Sequence, residues 1–122
     1  MSRIGKTDPI LVILPEWLRK IYNGEKKWEI RSKPCKKHCG SKHWFAASSS
    51  SAVSGHAIVR QWHGPLTKEQ WASNRSLHCV DGPRMYGDRT YAWELIEVTR
   101  EPFDIPIVRK AGSVGVQLGP GP

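Results

Sequence analysis

Long apolar runs are missing from this sequence: nothing approaches the ~20 residues that a membrane-spanning helix requires. The longest run, Ile10 to Leu14, is strand-sized. Met1 to Lys6 is basic, but no apolar segment behind it is long enough for a signal peptide, so a cytoplasmic or nuclear protein with no membrane partner is expected. Cysteine is scarce and odd in number, at Cys35, Cys39 and Cys79, which argues against a disulfide framework and for reduced thiols. Acidic residues are also in deficit. Eleven Asp and Glu face nineteen Lys and Arg, a net charge of +8. On so small a body this gives a positive potential of several kT and points to polyanionic partners.

What is present fits one domain over residues 1–118, followed by "GPGP", whose residues 119–122 read as a disordered tail. A chain of 122 residues buries enough surface to fold as a monomer without a disulfide. Six tryptophans exceed what a small core readily holds, so some should sit partly exposed, where they can stack on bases.

Apolar β-formers at Ile10 to Leu14 lead into Pro15, a residue suited to the first turn of a helix, and Gly24 supplies a left-handed stop. Trp17, Leu18 and Ile21 mark one face of the helix between them. Lys27 to Ser32 then alternates: Trp28 and Ile30 share one strand face, and Lys27, Glu29 and Arg31 the other. Further strands are expected at "WFAASSS", "SGHAIVRQW", "TYAWELIEVTR", "FDIPIV" and "SVGVQL". Thr67 caps a second helix with Glu69 and Gln70 in its first turn, and Val80 to Arg89 reads as irregular. The reading is α+β: a small mixed barrel of about six or seven short strands with two or three short helices at its ends. Helical crossovers are too few for a doubly wound parallel sheet.

Two constellations carry chemistry. Cys35, His38, Cys39 and His43, with His78 and Cys79 later, contain zinc-ligand types, but two well-spaced pairs are lacking, so no metal or cofactor is expected. In "GEKKWEIR", Glu29 and Arg31 lie on one strand face with Lys26 at the preceding turn. The set forms a surface ion pair, grips a base and its phosphate, or supplies a base, a proton shuttle and an anion holder for hydrolysis.

The stretch "ILPEWLRKIYNGEKKWEIRSKP" resembles the opening of the ASCH domain family, whose signature Gly-x-Lys-x-x-Glu-x-Arg is filled by Gly24, Lys26, Glu29 and Arg31. "GSKHWFAASS", "SGHAIVRQWHGPLT", "SLHCV" and "YAWELIEVTREPFDIPI" followed by "GSVGVQL" resemble later family elements in the same order. The resemblance implies a PUA-like barrel tied to RNA, with DNA or a free modified nucleoside as other ligands. The cleft is expected between the first helix, the signature strand and neighbouring loops. Lys26, Lys27, Glu29, Arg31, Lys33, Lys36, Lys37, Ser48 and Tyr91 are the candidate binding residues. Tyr86 and Tyr91 flank a segment placed to lid the cleft. The alternative is a small hydrolase, a ribonuclease or an amidohydrolase of acylated bases, using Lys26, Glu29, Arg31 and His78. Deacylating relatives carry a hydroxyl residue where this sequence has Glu29, so their triad does not transfer intact.

Overall fold

Residues 4–5, 7–109 and 118–120 are described in a computed structural model of the chain. Strand β1 (Ile10–Ile13) leads directly into helix α1 (Pro15–Tyr22). Pro15 opens the helix, Glu16 sits in its first turn, and Arg19 and Lys20 sit in its last, each charge complementing the helix dipole. Gly24, at φ +87°, turns the chain out of the helix and into strand β2 (Trp28–Arg31).

Strands β3 (Lys42–Ala47) and β4 (Ala52–His63) follow. Helices α2 (Lys68–Ser73) and α3 (Arg75–His78) and a 3-10 turn at Gly87–Arg89 then lead to β5 (Tyr91–Arg109). Thr67 caps α2 as expected, its hydroxyl accepting from the Gln70 N–H while the Gln70 side chain reaches back to the Thr67 N–H. Two expected strands, "TYAWELIEVTR" and "FDIPIV", are one long strand. Register runs from Gly55 opposite Arg100 to Val53 opposite Ile105, so Glu101 to Asp104 form a bulge opposite Ser54. Pro102 therefore falls where the ladder asks for no N–H, and neighbouring Phe103 is 81% exposed.

Strands pair in the order β1-β3-β4-β5-β2, with β1 parallel to β3 and the other pairs antiparallel. A short β6 (Leu118–Pro120) pairs with the end of β5, so the expected tail begins with paired backbone; residues 121 and 122 lie outside those described, as does most of "SVGVQL". Of the expected barrel, the described strands show an open path. Its end strands β1 and β2 face each other across one cavity, but among the described residues no ladder joins them. The physical reason is visible at the seam: Glu29 and Arg31 occupy it, and the Arg31 guanidinium, 3.5 Å from the Val12 carbonyl oxygen, stands where strand pairing would be.

Leu18 and Ile21 of α1 pack with Leu11, Phe45, Val59 and Leu95. On the other side of β2, Trp28 and Ile30 pack with Leu66, Trp71, Val80 and Ala92. Strand β2 is thus buried on both faces, and Glu29 is only 6% exposed.

Candidate functional site

A cavity of about 100 Å³ opens at this seam. Val12 and Ile13 of β1, Trp17 of α1 and Ile30 of β2 give it apolar walls, and Met85 and Tyr86 border it from the loop before β5. The charged side chains lining it are Lys26, Glu29 and Arg31. An apolar hollow with a few convergent polar groups is the usual form of a small-ligand site.

Lys26 is 2% exposed, and its Nζ donates to the His78 carbonyl at 2.5 Å and stands 5.0 Å from the centre of the Trp17 ring. Burial pulls its pKa below 10.5, against the attraction of Glu29, which raises it. Burial likewise pushes the Glu29 carboxyl above 4.5, opposed by the charges of Arg31 and Lys26. The Arg31 Nη1 donates to Glu29 Oε2 at 3.2 Å, and its guanidinium lies 5.8 Å from the Trp93 ring. Burial thus draws the lysine and the glutamate toward their neutral forms within one pocket.

His78 is placed differently from the expectation. Its ring is fully buried and stacks on Trp71; Nε2 donates to the Trp71 carbonyl at 2.7 Å, and Nδ1 accepts from the Val80 N–H at 3.0 Å. Both ring nitrogens are engaged, so His78 reaches the site only through the backbone oxygen that holds Lys26. Lys27, Lys33, Lys36 and Lys37 are exposed and lie outside the cavity lining. Ser48 is exposed beyond β3, and Tyr91 is half-buried with its ring 5.9 Å from Trp62; neither lines the cavity. Trp17 and Met85 were not among the expected site residues. Nothing local marks them, because they meet β2 only when the sheet curls.

Cys35 and His43 approach to 3.9 Å, but Cys79 bonds the Glu25 carbonyl beside α3. Among the described residues no three His, Cys, Asp or Glu side chains gather closely enough to hold a metal, and no helix is long and apolar enough to cross a membrane. Burial pushes the Cys35 thiol up to about 11, which favours its protonated form near neutral pH. A larger groove of about 540 Å³ runs along another face of α1 and contains none of the three charged residues. Chemistry rather than size therefore places the candidate site at the seam.

No family model matches the sequence, and no curated protein matches it. Solved structures do. A variant of the ASCH protein of Zymomonas mobilis with one serine changed to alanine superimposes at a TM-score of 0.67 and 17% identity, over 83% of this chain and 75% of that one. The ASCH structure from the same organism gives 0.65 at 15% identity, over 78% and 71%. A tyrosine-to-phenylalanine variant gives 0.60 at 18%, over 81% and 73%. The fold is ASCH-type.

Within the ASCH-type fold, Gly24, Lys26, Glu29 and Arg31 span the exit of α1 and the strand that lines the seam. Gly24 turns the chain, and the other three face the cavity. The spacing follows from geometry: residues two apart on a strand share a face, and Lys26 precedes the strand at the turn.

Proposed function

We propose that this ASCH-type domain binds RNA, or a free modified nucleoside, with one base in the seam cavity. The observation that carries the reading is the convergence of Lys26, Glu29 and Arg31 on an otherwise apolar hollow of about 100 Å³. That is well below the ~300–1,000 Å³ of a drug-sized site, so it takes one planar ring and leaves sugar and phosphate outside. Glu29 accepts from an exocyclic amine, or donates to a ring nitrogen when protonated, and Lys26 and Arg31 hold carbonyl oxygens. Exposed Lys33, Lys36 and Lys37 after β2 meet phosphates.

Fluorescence anisotropy with a short single-stranded RNA tests this. Affinity should fall steeply between ~50 mM and ~200 mM salt, as counterion release requires. It should also fall in Lys26→Ala and Arg31→Ala. Salt-independent affinity, or no binding at low salt, overturns the RNA reading.

The opposed shifts of Lys26 and Glu29 favour a second reading, hydrolysis of an N-acyl group on the bound base. Neutral Lys26 takes a proton from water as its oxygen bonds the acyl carbon, and Arg31 holds the oxyanion. Protonated Glu29 then gives its proton to the departing amine as the C–N bond breaks. Free cytidine and acetate released from N-acetylated cytidine by wild type, and not by Lys26→Ala, is the expected result. Equal silence of both removes this reading and leaves binding alone.

A further inference from the structure

The groove of about 540 Å³ along α1 has no part in the site described above. Pro15, Leu18, Ala47 and Ala52 give it apolar walls. At its polar end the Tyr22 and Ser54 hydroxyls lie 2.6 Å apart, a pair that uses one of its two protons internally and keeps the other for a partner. Close packing sets this pair in place. A methyl group on Gly55 would stand 2.6 Å from the Tyr22 hydroxyl, so the bare glycine is what lets the tyrosine lie down on β4.

Arg19 and Arg100 supply the positive charge of this lining, against Asp104. Arg100 is held by the Ser54 carbonyl at 2.9 Å, by Asp104 at 3.1 Å and over the Tyr22 ring at 5.3 Å. The first two bonds run through Nη1 and leave other donors of the fork for an anion. The groove also has a fixed relation to the seam cavity. Leu14 lines the cavity and Pro15, the next residue, lines the groove; both are exposed at the start of α1.

We infer that the groove is a second nucleotide subsite, taking the nucleotide next to the one whose base fills the seam cavity, so that a single RNA strand crosses the start of α1. This rests on the RNA reading above. The flanking base lies on the apolar walls with an edge toward Tyr22 and Ser54, and its phosphate meets Arg19 and Arg100. Two cationic side chains against one carboxylate suit an anion such as a phosphodiester better than a neutral peptide. The chain's net charge of +8 draws the strand in.

The test compares a mononucleotide with a single-stranded oligoribonucleotide, by anisotropy and competition. The proteins are wild type, the double variant Arg19→Gln with Arg100→Gln, and Ala52→Phe, which fills the groove without changing charge. Both variants should lose about tenfold in oligonucleotide affinity, the scale of one stacked base, while mononucleotide affinity is retained. In the arginine variant the salt slope should also become shallower by about 0.7 for each phosphate left without its arginine. Unchanged oligonucleotide affinity in both variants overturns the subsite, and so does an equal loss for both ligands. If wild type binds the oligonucleotide through Lys26 but indifferently to the arginines, the subsite alone falls. If wild type binds neither ligand, the RNA reading falls with it.

Discussion

Lys26 and Glu29 are each pushed toward neutrality by burial, and each is drawn back toward charge by the other. Removing one partner should therefore exaggerate the shift of the survivor. In Glu29→Gln the Lys26 pKa should move further below 10.5, because the carboxylate that raised it is gone; an NMR titration of the lysine side chain reads this directly. An upward movement would contradict the burial argument. Stability carries the same signature. Between about 4.5 and its raised folded value Glu29 binds more protons folded than unfolded, so unfolding free energy falls as pH rises across that window. Lys26 acts oppositely. Between its lowered value and 10.5 the unfolded state binds more protons, so stability rises with pH in that window. Urea unfolding across pH should show both limbs, the acid-side limb flattened in Glu29→Gln and the alkaline limb flattened in Lys26→Met.

At the level of elements, α1 and β4 meet at a point where no side chain fits. A Cβ on Gly55 would collide with the Thr99 carbonyl oxygen as well as with Tyr22, so Gly55→Ala must displace backbone or eject the tyrosine. The expected loss is about 1–3 kcal/mol in a denaturant titration, with Tyr22 made more accessible. Thr67→Ala should cost less, about 1 kcal/mol, because it removes a single capping hydroxyl from an exposed helix start. The cap, the Pro15 opening and the Gly24 stop were legible in the sequence, since each depends on residues within one turn of chain. The joining of two expected strands into β5 was not. Pro102 reads locally as a break, and only the bulge opposite Ser54 makes it harmless.

At the scale of the molecule, the proposed RNA reading predicts binding that is electrostatic outside the seam, where the exposed lysines lie, and chemical within it. Replacing Lys33, Lys36 and Lys37 together by Gln should weaken RNA binding for every base composition and flatten the salt slope, whereas Lys26→Ala should erase discrimination between bases. Anisotropy with homopolymeric RNAs separates the two effects. The sequence by itself determined the charge balance, the strand-helix-strand opening and the spacing that puts Glu29 and Arg31 on one face with Lys26 at the turn before them. These are properties of composition and of short-range backbone period. Tertiary structure alone decided that this face is buried rather than solvated, that Trp17 and Met85 line the cavity beside it, and that the His78 ring turns inward onto Trp71. The reason is that strands β1 and β2, at opposite ends of the pairing order, meet only when the twisted sheet curls. No local pattern records which two strand edges that curl will leave facing each other.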